Sequence, residues 1–380
     1  MSSVAIRHIR LSILGSVAIL PILILPTMVG ALIDYSGFTE AEAGWLAAAG
    51  FTGSALGAIA AGFRIRHLDP QKLALFGMLV LGTCDAASAL VGHLPVWSFV
   101  VLRLVSGLGG AVAYAAVVAS FAAAANPERG YGVFMVFQFG LSAVGLYILP
   151  YLLPAIGVIG MYLMLAAAAG LSLTLRNSVV HRETEREEPV VELQMLLRPA
   201  AILIMLGIGL YETANFMQYT YSERIGIGFG LSNFRIGEAL GISSLLGVPS
   251  ALLVVLIGDR FGQIRPLLAA VILSIVAHVL LLFPSGAVSY YLAVGSLGVA
   301  WAFGLSFFYA IEARLDPGGS VVVVGGFFTS CGSVAGPALA ASLVRPDEFA
   351  GVIATAIGVY LLAAILATMS VYYYSRRISS

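Results

Sequence analysis

Long apolar runs separated by short polar stretches fill this chain from end to end. They lie near 11–33, 42–63, 72–92, 95–124, 132–153, 157–175, 200–222, 235–257, 266–284, 289–312, 320–343 and 349–374. Each is about 20 residues or longer, enough to cross a hydrocarbon core of about 30 Å as a helix. In lipid each span must satisfy its own backbone hydrogen bonds, so helix is the expected conformation. A β-barrel needs short alternating strands, and these runs do not alternate. The pattern therefore predicts an all-α membrane protein with twelve transmembrane helices.

The runs repeat as two sets of six. Gly37-Phe38-Thr39 precedes Gly44 as Gly230-Leu231-Ser232 precedes Gly237. Ser106-Gly107-Leu108-Gly109 through Tyr114 matches Gly295-Ser296-Leu297-Gly298 through Phe303, and Ser142-Ala143-Val144-Gly145 matches Ser333-Val334-Ala335-Gly336. Two pseudo-symmetric six-helix bundles are expected, residues 1–175 and 199–380, joined by a linker at 176–198 rich in Arg and Glu. Paired bundles of this kind suit alternating access by rocking. All other loops are short, which leaves function to the helices themselves.

Composition agrees. Sixty percent of residues are hydrophobic and ten percent charged; a soluble domain carries roughly 25 percent. Of nineteen Lys and Arg, fifteen fall on one face of the map, three (Arg224, Arg235 and Arg345) on the other, and Arg103 inside a span. This positive-inside bias places both termini in the cytoplasm, in a bacterial inner membrane. Net charge is zero, and no basic stripe suggests a nucleic-acid partner. The first span is too long for a signal-peptide core and reads as a retained helix. Cys84 and Cys331 sit in spans without metal-ligand spacing and read as small packed residues. No metal site, cofactor or catalytic constellation is expected, and a monomer suffices.

Local signals refine the map. Thr39 with Glu42 fits a capping box opening the second span; Ser232 stands at the matching place before the eighth, with Arg235 in place of the glutamate. Gly53, Gly57, Gly62, Gly107, Gly110, Gly332 and Gly336 allow close helix contact in lipid.

The loop Gly258-Asp259-Arg260-Phe261-Gly262-Gln263-Ile264-Arg265 resembles the short cytoplasmic signature of the major facilitator superfamily, and Arg103 with Gly107 is similar to its arginine-to-glycine pattern in the fourth helix. The resemblance covers essentially the whole chain. It implies that the loop, through Gly258, Asp259, Arg260, Gly262 and Arg265, latches neighbouring helices in one state, and that the seventh helix lines a central cavity. The first-half copy of the loop, residues 62–69, lacks the usual aspartate and second glycine. The fifth span lacks the glycine-proline signature of drug/proton antiporters, which Gly336-Pro337 places in the eleventh span instead.

A charge within a bilayer costs about 3 kcal/mol or more at the centre, so each needs a reason. Glu212 lies about thirteen residues into the seventh span, roughly 19 Å deep. Asn215 and Tyr219 follow at helical spacing, with Tyr211 adjacent. Glu212 is expected to exchange a proton or bind a cationic group on cargo; the plain alternative is a protonated glutamate bonded to a neighbouring helix. Asp85 and Arg103 are expected at similar depth, roughly 10–12 Å, where an ion pair satisfies both. Two readings stand for them: a structural pair, or a cavity-facing Arg103 that binds a carboxylate bidentately and is controlled by Asp85. Glu312 and Arg314 read as a gate or an interfacial pair, His278 as a neutral, locally bonded histidine, and Glu238 as solvated. Tyr114, Tyr147, Tyr211, Phe216, Tyr219, Trp301, Phe303, Phe308, Tyr309 and Phe327 suggest an aromatic cavity suited to a small organic molecule. Gln138, Ser243, Ser244, Thr329 and Ser330 offer it hydrogen bonds.

The expected function is secondary active transport of a small organic solute, an organic or aromatic acid being the class considered, coupled to protons. Alternatives are a proton-driven exporter of drugs or amphipathic metabolites, a non-transporting membrane sensor or scaffold, and, more remotely, an intramembrane enzyme.

Overall fold

The computed structural model describes residues 3–64, 68–90, 93–124, 126–179, 192–258 and 260–379. Among these residues the regular structure is helix, joined by short turns, with one isolated bridge between Arg345 and Glu348. Asp259 and the middle of the linker, 180–191, lie outside the described residues. The chain divides into two compact units, Met1–Glu185 and Arg186–Ser380.

In the first unit the opening apolar run is three helices, α1 (Ser3–Ala18), α2 (Leu20–Leu23) and α3 (Leu25–Ser36). Pro21 and Pro26 occupy the first turns of α2 and α3. Proline lacks the N–H for the i−4 bond and its ring crowds that carbonyl. The expected single span is therefore interrupted at Ile19 and Ile24. Next come α4 (Glu40–Arg64), α5 (Pro70–Ser88), α6 (Val96–Ala122), α7 (Pro127–Ser172) and a short 3₁₀ turn (Leu173–Ser178). The fifth and sixth runs form α7 together, bent at Gly157, whose φ of 59° favours a residue without Cβ. Ser142 on α7 donates to the Leu23 carbonyl at the α2–α3 break, at 2.9 Å.

The second unit contains α8 (Leu193–Leu196), α9 (Pro199–Thr220), α10 (Ser222–Gly228), α11 (Asn233–Ile257), α12 (Ile264–Leu282), α13 (Ala287–Leu315), α14 (Ser320–Leu343) and α15 (Ala350–Ser379). Nine helices among the described residues are long and apolar enough to cross a membrane. The other three expected spans are accounted for by the broken first run, by the continuous α7 and by α5, which falls outside that set.

Beside a core of bulky apolar side chains, helix contacts rest on small residues. On α11 the buried positions include Gly237, Ala239, Gly241, Gly247 and Ser250. Leu252, Leu253, Val255 and Leu256 are exposed. Lipid tails are as apolar as leucine, so large side chains gain nothing by turning inward, and small residues let backbones meet. Gly53 and Gly57 on α4 lie against the Leu104 and Leu108 carbonyls of α6, and Gly107 lies against the Gly50 carbonyl; a Cβ at any of the three would overlap backbone. The second unit repeats this at Gly298 on α13, against Ser243 on α11. By contact the counterpart of Gly298 is thus Gly107, two residues before the Gly109 paired with it in the sequence match. Gly62, by contrast, meets nothing. Cys84 is buried, whereas Cys331 is exposed on α14 and is not the packed residue its position suggests.

Helix starts follow the capping chemistry. The Thr39 amide and hydroxyl both donate to Glu42 Oε2 at 2.9 Å, and the Glu42 amide donates back to Thr39 Oγ1 at 3.2 Å. Ser232 has the extended backbone of a cap but makes no side-chain cap bond. Thr39→Ala is therefore expected to cost about 1 kcal/mol and Ser232→Ala far less, as read by equilibrium denaturation in detergent. Equal losses would show that the two starts are held alike.

Candidate functional site

Each unit holds polar residues singled out by the sequence in more than one place. In the first, α5 and α6 bring Asp85 and Arg103 together. Arg103 Nη2 donates to Asp85 Oδ1 at 2.8 Å and to Ser88 Oγ at 2.7 Å, and Ser106 Oγ donates to Asp85 Oδ1 at 3.3 Å. The guanidinium carbon stands 4.9 Å from the centre of the Tyr162 ring on α7. Both charges are buried, with Asp85 1% and Arg103 6% exposed. Asp85 Oδ2 and Arg103 Nε have no hydrogen-bond partner. Arg103, Ser106 and Tyr162 also line a small apolar cavity with Ile19, Ile22 and Ser54, beside the break in the first run. Arg103 is thus paired and cavity-lining at once, and the geometry accommodates both readings.

Farther along α6, the Tyr114 hydroxyl accepts from Gln138 Nε2 on α7 at 3.0 Å, and its ring packs against Phe134 at 5.5 Å. The α6–α7 pair thereby presents a half-buried phenol whose orientation is fixed by an amide.

In the second unit Glu212 is 2% exposed on α9. Its Oε1 accepts from Trp301 Nε1 on α13 at 2.9 Å. The bare backbone of Gly332 on α14 faces it: a Cβ there would come within 2.9 Å of the Glu212 Cβ and would overlap the Gly209 carbonyl. Asn215, Tyr219, Trp301 and Tyr309 are half-buried. Phe216 and Tyr219 pack edge to face at 6.1 Å. Tyr211 departs from the expected stripe. It is fully buried, donates to the Ala300 carbonyl at 2.7 Å, and packs on Phe308 and Tyr360. A residue next to Glu212 in sequence points about 100° away around a helix, so adjacency does not place it on the same face.

The remaining expectations divide. His278 Nδ1 lies 2.8 Å from the Ser274 carbonyl, which requires the proton on Nδ1, and the ring packs on Tyr360. The local hydrogen bond expected of it is present. Glu238 is exposed and accepts from Tyr291 at 2.8 Å. Glu312 is not an interfacial pair: it is fully buried with no partner on either oxygen, and Arg314 is exposed. Thr329 and Ser330 donate to carbonyls one turn back, and Ser243 donates to Val294. Their hydroxyl protons are spent within the fold. Tyr147 and Phe327 are exposed. At the signature loop, Gly258 and Gly262 adopt positive φ of 48° and 68°, and Arg260 and Arg265 are exposed. The latch rests on Asp259, outside the described residues. The sequence pattern places Trp301 among the aromatics and does not pair it with Glu212. An indole N–H is a donor that needs an acceptor when buried, and that is the signal the sequence offers for the pair.

Among the described residues the fold is a set of long apolar helices with a few charged side chains buried between them. The Major Facilitator Superfamily model matches residues 11–318, and the chain belongs to that family. Among solved structures, it is similar to an aspartate-to-alanine mutant of the nucleoside transporter NupG, at 12% identity and a TM-score of 0.77, covering 97% of this chain and 100% of that one. NupG itself gives 11% identity, a TM-score of 0.72 and coverage of 97% and 99%. A bacterial homologue of the human lysosomal transporter Spinster, inward-facing and unoccupied, gives 12%, 0.67, 97% and 96%. At such identity these likenesses speak to the fold. Comparison with curated proteins finds no match.

Removing one member of a buried ion pair strands the other charge, at about 3–5 kcal/mol. Asp85→Leu and Arg103→Met are each expected to destabilise on that scale. The double variant is expected to be more stable than either single one, as read by denaturation midpoints in detergent. Additive losses would show that the two charges are not coupled.

Proposed function

We propose that this protein is a proton-coupled secondary transporter of a small organic solute that works by alternating access. The observation that carries the proposal is Glu212, a buried carboxyl in mid-span held by one indole donor. Such a group can be neutral in one state and ionised in another at modest cost, provided that hydration or cargo changes around it. Asn215, Tyr219, Trp301 and Tyr309 in the second unit, and Tyr114 with Gln138 in the first, supply aromatic faces and a few oriented polar groups. That mixture suits an organic cargo with a flat apolar part. Arg103 with Asp85 is the second candidate, favouring a carboxylate on the cargo. The latch role of Gly258, Asp259, Arg260, Gly262 and Arg265 belongs to the same proposal, as do a monomeric state and placement in a bacterial inner membrane with cytoplasmic termini.

The test is transport in proteoliposomes with an imposed pH gradient, offering nucleosides (the cargo of the structurally similar transporter NupG), aromatic carboxylates and amphipathic cations. Accumulation of one class driven by the gradient is expected. Glu212→Gln is expected to abolish the pH dependence without loss of fold. If Glu212→Gln transports with unchanged proton dependence, the assignment of Glu212 fails. Gradient-driven efflux of the amphipathic cations alone would favour the exporter reading.

A further inference from the structure

Glu312 has no role in the Glu212 cluster, yet among the described residues of the second unit it is a buried acid with no hydrogen-bond partner. It lies three residues before the end of α13, is fully buried, and neither carboxyl oxygen has a hydrogen-bond partner. Its carboxyl rests against the bare backbone of Gly325 on α14, where a Cβ would overlap it. An ionised carboxylate buried without a hydrogen-bond donor is costly in a protein interior, and the ordinary escape is to carry a proton.

Among the described residues the surroundings leave that escape open and offer no partner. On α13 itself, Arg314 is exposed, and beyond it Asp316 is spent on the amides of Gly318 and Val321, at 2.9 and 3.1 Å. Of the helices packed against α13, α14 carries no titratable group in its first two turns. At this end of the unit α9 offers Arg198 at its cap, α12 the exposed Arg265, α15 Tyr372, Tyr373 and Tyr374, and the turn after α11 Arg260. None of them bonds Glu312. Tyr211, Glu212, His278, Cys331 and Tyr360 lie about two turns or more deeper on these helices. No group of three metal-ligating side chains occurs among the described residues, which argues against a metal ion.

A way out also exists. A cleft lined by Arg198, Leu315, Val321, Tyr373 and Tyr374 sits at the same end. Leu315 follows Glu312 by three residues and Val321 precedes Gly325 by four, so the cleft is roughly one helical turn from the carboxyl. The same α14 faces both buried acids with glycine: Gly325 against Glu312 and, seven residues on, Gly332 against Glu212. One helix therefore covers two carboxyls.

We propose that Glu312 is a second proton-binding site, loaded while α14 is closed on α13 and emptied through the Arg198–Val321 cleft when α14 withdraws. The proton is exchanged with water, and no other ligand is required. The gating role rests on the transport reading of Glu212; the presence of the proton does not.

Infrared difference spectroscopy on the full chain in lipid tests the proton directly. At neutral pH the carbonyl stretch of a buried protonated carboxyl is expected, and Glu312→Gln is expected to remove a component that Glu212→Gln leaves in place. Identical wild-type and Glu312→Gln spectra in that region would overturn the proposal. Should Glu312→Gln fail to fold, Glu212→Gln grown with carboxyl-¹³C glutamate isolates the same group, and absence of an isotope-shifted band there would also overturn it. In proteoliposomes Glu312→Gln is expected to lose stimulation by a pH gradient. Full stimulation in that variant would overturn the gating role. If the wild type moves no solute while the infrared component is present, the transport reading falls and the proton site stands.

Discussion

A hydrocarbon solvent offers no hydrogen bond, and the helices, their close glycine contacts and the partners of the buried charges in this chain answer to that. Backbone groups must close on themselves, which is why the apolar runs are helices. Where proline opens the first run, a side chain from another helix comes to the break, as Ser142 does at the Leu23 carbonyl. Helices adhere by close approach rather than by burying bulk, so the contacts of α4 with α6 and of α11 with α13 are built on Gly50, Gly53, Gly57, Gly107 and Gly298.

The same constraint makes the few charged groups informative. Asp85 and Arg103 answer it by pairing, with further bonds to Ser88 and Ser106 and the Tyr162 ring beside the guanidinium, although Asp85 Oδ2 and Arg103 Nε stay unbonded. Glu212 answers with one indole donor. Glu312 has no donor at all. The three form a series of falling compensation for a buried charge, and along it the neutral form of the acid becomes progressively easier to explain. The proposed transport roles fall on the poorly compensated end, because a group already satisfied by the protein has little reason to respond to water, proton or cargo.

Much of this is legible in the sequence. Length and composition identify the apolar spans, and the Lys and Arg bias is the ground for the orientation proposed for them. The depths of Asp85 and Arg103, counted along two adjacent helices, bring their side chains to one level, and the pair is there. Thr39 and Glu42 announce their capping box. The repeat is visible in Gly37 and Gly230, which share left-handed φ of 70° and 73°. Other features escape a linear reading for identifiable reasons. Prolines at 21 and 26 carry the signal for a broken first run, yet continuous hydropathy conceals it. Glu312 reads as interfacial because charged neighbours follow it, although its side chain turns inward between α13 and α14. Tyr211 groups with Glu212 by adjacency, although neighbouring residues diverge around a helix.

The sequence by itself determined the solvent this protein lives in, its helical conformation, its duplication and the identity of its rare buried charges. These depend on composition and on period along one chain, and both are local. Only the tertiary structure decided which charges are answered and by what: that Trp301 reaches Glu212, that Tyr162 lies over Arg103, and that Gly325 leaves Glu312 bare. Those facts depend on which face of one helix meets which face of another, and small-residue contacts in lipid set that rotation without a hydrophobic stripe to reveal it.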